Sequence, residues 1–175
     1  MTTPPATPRA RRVAVPGALA ARDDLAGAHY ASAFALPVPR AGALMTAEQW
    51  ARAVFEGAPA PLRRFLMLGW TLGLGLRLGP RTSPRHVLGW AVSDAADHSL
   101  TLTARSPLML THNVVAVEDA RVLWATFVRF DRPVGRPLWA LAAPIHHRTV
   151  PRLLQRAARD AASAGETTRG DGRLP

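Results

Sequence analysis

The chain has 175 residues, 48% of them apolar, which is enough for one sizeable core within a single domain and excludes a disordered or fibrous class. Cysteine is absent, so disulfides, thiolate metal sites and cysteine nucleophiles are excluded together and a reducing, cytoplasmic setting is the default. The formal charge of +10 would suit nucleic acid or an anionic surface, yet all 22 basic residues are arginine, lysine is absent and Ile145 is the sole isoleucine, a pattern of GC-rich codon usage.

The arginines run from Arg9 to Arg173 without an aromatic stacking platform between them, which argues against a nucleic-acid partner. Residues 1–12 have no periodicity and read as a disordered arm, and residues 162–175 read as a disordered tail, leaving one domain over 13–161. Arg11-Arg12 before Val13 to Ala21 has the outline of a short export signal, but Pro16-Gly17 interrupts it and Arg22, Asp23 and Asp24 follow at once. An exposed arm is the better reading.

Tyr30 to Val38 alternates larger side chains with alanine and suits a first strand. Thr46 opens a helix, because its hydroxyl can cap the first turn and Gln49 completes a capping box; Trp50, Val54 and Phe55 follow on one face and Gly57 ends it. A second helix is expected from Pro59 or Pro61 through about Leu72. The apolar run Phe65 to Leu76 is too short to span a membrane, which takes about 20 residues. No transmembrane segment is expected.

From His86 to Asp131 four strands are expected, at His86–Ser93, Ser99–Arg105, Leu108–Glu118 and Arg121–Phe130, with Asp94 to Asp97 and Ser106-Pro107 as breaks. Asp119-Ala120 leaves a two-residue hairpin turn that places Glu118 opposite Arg121. Val117 then faces Val122, Val115 faces Trp124, Asn113 faces Thr126 and Thr111 faces Val128. That face is apolar, and the opposite one carries Glu118, Arg121, His112 and Arg129, so the first should point inward. After Arg132-Pro133 a helix is expected from about Arg136 to Ala161, kinked or broken near 143 or 150 by Pro144 and Pro151. The fold class is therefore α+β, a curved antiparallel sheet packed on a long C-terminal helix.

The segment Tyr30-Ala31-Ser32-Ala33-Phe34, with Gly135-Arg136-Pro137-Leu138-Trp139-Ala140, Pro144-Ile145-His146 and Leu153-Leu154, resembles the bacterial family of unknown function DUF2867 over about 25–161. Ser32 stands where that pattern has an aspartate, which weakens any role assigned to the acid. Such families are similar to the START-like (SRPBCC) helix-grip superfamily, and the resemblance implies an apolar ligand between sheet and helix. A shared fold does not carry a function with it.

A small hydrophobic ligand is the expected partner, held by Trp90, Thr111, Asn113, Trp124, Thr126, Trp139 and His146. Each has a plainer reading beside it. Asn113 and Thr126 can satisfy each other across the sheet, the tryptophans can be ordinary core, and His146 can bond a neighbouring carbonyl or lie exposed to solvent. His146 and His147 point about 100° apart on a helix, so they do not form the metal-binding pair that i, i+4 spacing makes. No metal, cofactor or catalytic residue is assigned, and the oligomeric state is left open. Two alternatives remain: a cyclase-like or hydrolytic enzyme using His146 with a polar strand residue, and a protein- or membrane-surface module using Phe65 to Leu76 with nearby arginines.

Overall fold

A computed structural model describes residues 9–38, 45–118 and 121–170, the side chains of 165–170 excepted. The elements in chain order are β1 (Arg11–Val13), α1 (Gly17–Ala20), β2 (Tyr30–Pro37), α2 (Ala47–Phe55), α3 (Ala60–Leu68) with a π turn at Gly69–Gly73, β3 (Thr82–Ser83), β4 (His86–Val87), β5 (Trp90–Ala96), β6 (Ser99–Arg105), β7 (Met109–Glu118), β8 (Arg121–Phe130) and α4 (Gly135–Gly170). The strands form one curved, unclosed antiparallel sheet in the order β1-β2-β8-β7-β6-β5-β4-β3, and α4 lies against it in a helix-grip arrangement.

The long β7–β8 pair organises the sheet. It runs from Met109↔Phe130 to Glu118↔Arg121 without a slip, so every cross-strand partner expected from the sequence is in place. The Asp119-Ala120 turn itself lies outside the described residues. Because side chains alternate along a strand, this register puts Val115, Val117, Val122, Trp124 and Val128 together on the concave face. Tyr30, Ser32, Phe34 and Leu36 join them from β2, where Ser32 pairs with Thr126 and Phe34 with Trp124.

Three helices cover that face. Thr46 caps α2 with the full reciprocal capping box to Gln49, and Trp50, Ala51, Val54 and Phe55 are buried beneath it. From α4 come Trp139, Val150, Leu153, Leu154 and Ala157. Burial of this kind is worth about 25 cal/mol per Å² of apolar area, which makes the concave face the main source of stability.

The structure departs from the sequence reading in five places. His86–Ser93 is not one strand: Leu88 and Gly89 adopt φ of 46° and 89°, forming a two-residue turn between β4 and β5. The strand β5 then runs on through Asp94 to Ala96, with an irregularity in its pairing to β6 between Val92 and Asp94. Residues 11–12, assigned to a disordered arm, pair with β2, Arg12 opposite Phe34. The convex face is not a polar, solvated surface, since Ala33, Ala35, Val114, Leu123, Ala125 and Phe127 are buried there under Val13, Val15, Leu19 and Leu25 of the N-terminal segment.

Finally, α4 continues without a break through Pro144 and Pro151 and on to Gly170, past the expected end near Ala161. Each proline removes a donor to the carbonyl four residues earlier. Ala140 is exposed, so water can serve its carbonyl. The buried side chains at Val150, Leu153 and Leu154 hold the later turns to the sheet.

Candidate functional site

The helices do not fill the concave face. A cavity of about 300 Å³ remains between the sheet, the α3–π segment and α4. The π turn shapes one wall, because its wider winding carries Trp70 and Leu74 to the cavity before the chain leaves the helix. Trp70 meets both Phe55 and Trp90 edge to face, at centroid distances of 5.0 and 5.3 Å. Residues Leu138, Leu141, Ala142, Ile145 and Thr149 of α4 form the facing wall.

Six of the seven residues expected to hold a ligand line this cavity: Trp90, Thr111, Asn113, Thr126, Trp139 and His146. Trp124 does not. It is fully buried behind the wall, stacked edge to face on Phe55 at 4.9 Å, and its indole N–H donates to Asn113 Oδ1 at 3.2 Å. Thr126 Oγ1 donates to the same oxygen at 2.7 Å, so the cross-strand bond foreseen as the plainer reading is present. Thr111 Oγ1 donates to the Ala104 carbonyl at 2.8 Å. The indole nitrogens of Trp90 and Trp139 are buried with no hydrogen-bond partner among the described residues.

The histidines occupy the β2 side. His146 packs among Phe34, Trp139 and His147, and its Nε2 lies 3.4 Å from Ser32 Oγ, a weak contact. Burial, reinforced by His147 and by the Arg12 guanidinium, holds its pKa down at about 4, so it is neutral at pH 7. His147 Nε2 and the Tyr30 hydroxyl are 2.5 Å apart, and burial followed by Arg12 also lowers the pKa of this imidazole. Among the described residues no carboxylate bonds either ring, and no group of three or more metal-ligating side chains is present.

Sequence reasoning missed the α3–π wall, the Tyr30–His147 pair and Arg12. The apolar spacing from Phe65 to Leu76 was a usable signal for the first. Nothing local signalled the others, which depend on β1 and β2 lying beside α4.

A wider groove of about 960 Å³ lies between α2, α3 and the β3–β4 hairpin. Its size is not matched by chemistry. Arg52 is spent on Glu48, Glu56 and the His86 carbonyl, and Arg63 donates to the carbonyls of Glu56 and Ala58, so these side chains serve the fold. The smaller cavity, with apolar walls and few polar groups, is the better site.

Comparison of the chain with protein-family models, curated proteins and solved structures gives no match in any of the three. The resemblance to DUF2867 therefore rests on its residues alone.

Proposed function

We propose that the protein binds a small hydrophobic ligand in the cavity between its sheet and C-terminal helix. The observation that carries this reading is the cavity itself, a space of about 300 Å³ whose walls are aromatic and aliphatic apart from a few polar groups. A single histidine, neutral at pH 7, is the titratable group lining it among the described residues. An apolar ligand in this space would gain dispersion contacts with walls that the helices leave unpacked. Native mass spectrometry against the denatured mass tests this, together with displacement of an apolar aminoanthracene probe. Ala142→Trp, which projects a large ring into the space from a partly buried position on α4, should abolish probe binding while the far-UV spectrum stays native. Probe binding that survives this change would sink the reading.

The hydrolytic or cyclase-like alternative has weaker support. Ser32 and His146 are neighbours, but the 3.4 Å contact is long and an imidazole with a pKa of about 4 is a poor base at neutral pH.

A surface role has a specific observation behind it. Phe65, Leu141 and Ile145 line the cavity and are exposed, and Leu72 nearby on the π turn is 79% exposed. No acidic residue occurs between Glu56 and Asp94 or between Asp131 and Asp160, stretches that together hold 11 of the 22 arginines. An apolar rim on these arginine-bearing, acid-free stretches fits an anionic lipid surface, from which an apolar ligand could enter. Cosedimentation with phosphatidylserine vesicles that weakens with salt, and is absent for phosphatidylcholine, is the expected result; equal retention on both vesicles would remove this second reading.

A further inference from the structure

One polar group on the cavity wall is bonded at only one end. An indole N–H can only donate, so the 3.2 Å contact from Trp124 fixes the oxygen of the Asn113 amide toward it, and Thr126 donates to that same oxygen. The amide orientation follows from these two donors. The Asn113 NH2 is left without an acceptor among the described residues, although the side chain is 4% exposed and lines the cavity. The NH2 is open to the cavity, where a ligand acceptor can reach it.

The neighbouring groups do not supply the missing acceptor. Among the described residues the Asn113 NH2 forms no bond to the hydroxyl oxygens of Thr111 and Thr126, which donate to the Ala104 carbonyl and to Asn113 Oδ1, and the indoles of Trp90 and Trp139 on the same walls are unpaired donors as well. Three N–H groups on the walls, the Asn113 NH2 and the two indoles, thus stand without a partner among the described residues, and an oxygen acceptor on a ligand would complement them. A carboxylate would serve poorly, because no arginine lines the space among the described residues and His146 is uncharged at neutral pH. A buried anion with no cationic partner carries a desolvation cost that a neutral carbonyl avoids.

Resting on the binding reading above, we infer that the ligand is a neutral, largely apolar molecule bearing a carbonyl oxygen, seated with that oxygen on the Asn113 NH2. A series matched in chain length tests it: undecane, methyl decanoate and decanoic acid, each competing with the aminoanthracene probe at pH 7.5. The ester should bind about tenfold more tightly than the alkane, the gain typical of one hydrogen bond to a buried donor, and more tightly than the acid.

Asn113→Asp keeps an oxygen for Trp124 and Thr126 but replaces the NH2 donor, so the ester-to-alkane preference should vanish while alkane affinity persists. Asn113→Leu serves as a second variant if the buried acid prevents folding. The wild-type series is decisive by itself. Ester and alkane binding equally, or the acid binding best, would overturn the carbonyl inference and leave the apolar cavity standing. Failure of all three to displace the probe would instead bring down the binding reading beneath it.

Discussion

At the level of single residues, His146 couples the cavity to pH. In an unfolded chain its pKa is about 6.5, whereas in the fold burial, His147 and Arg12 hold it at about 4, so the folded state binds the proton later than the unfolded state does. The stability tied to the neutral ring is therefore fully present above pH 6.5, declines as pH falls, and is gone near pH 4. Its size is bounded at roughly 3 kcal/mol by the conversion of pKa shift to free energy. Urea unfolding at pH 7.5 and pH 4.5 should show a marked loss for the wild type. Because His147 and His112 are depressed by burial too, His146→Gln should reduce that loss without erasing it. An unchanged difference between the two pH values would show that the proton goes elsewhere. The adjacency of His146 and His147 was legible in the sequence, but the depressed pKa was not. It depends first on burial between sheet and helix, then on His147, and last on Arg12, which a three-residue strand brings opposite Phe34, and a strand that short leaves no periodicity to read.

At the level of elements, legibility followed locality. The α2 cap and the β7–β8 register were readable because Thr46, Gln49 and the alternating valines act within a few residues of one another. The β4–β5 turn was unreadable because leucine is a poor residue for positive φ. Tertiary contacts hold it there: Leu88 is 6% exposed, and its N–H donates to Glu56 Oε1 at 3.1 Å, on the same carboxylate that pairs with Arg52. These two elements predict unequal mutational costs. Thr46→Ala should cost about 1 kcal/mol, the usual worth of an N-cap side chain. Gly89→Ala should cost about 1–3 kcal/mol, since its φ is 89° and a new Cβ would lie 3.0 Å from Leu78 Cβ and 3.1 Å from the Gly79 carbonyl. Chemical denaturation of the two variants beside the wild type gives the order. Should the cap mutant prove the less stable, the turn is more pliable than its contacts imply. The expected break in α4 is absent for the same reason in reverse, because the local rule against proline was outweighed by burial of Val150, Leu153 and Leu154.

For the molecule as a whole, the sheet is covered on both faces by different means. The concave face is roofed by helices that leave a cavity, whereas the convex face is sealed by the N-terminal segment, whose Val13, Val15, Leu19 and Leu25 lie on Leu123, Ala125 and Phe127. Arg22 fastens that cover, pairing with Asp24 at 2.7 Å and donating to Thr101 Oγ1 at 3.2 Å. The alanines of β2 gave little sign of a second buried face, and Leu123 and Phe127 alternate with Arg121 and Arg129 on that side of β8, so the sequence read as one-sided. If the cover is structural, a chain beginning at residue 27 should expose this apolar surface, bind anilinonaphthalene sulfonate strongly and aggregate, since apolar patches of this kind do not remain solvated in a monomer. Arg22→Ala is the milder change. It removes the exposed pair and one part-buried hydrogen bond, so it should lower stability by about 1 kcal/mol. Because Thr101 and Arg22 lie on the convex side, its affinity for an apolar probe in the concave cavity should equal that of the wild type. A loss of probe binding in Arg22→Ala would mean that the two faces are energetically coupled and that the sheet transmits changes in its N-terminal cover to the cavity wall.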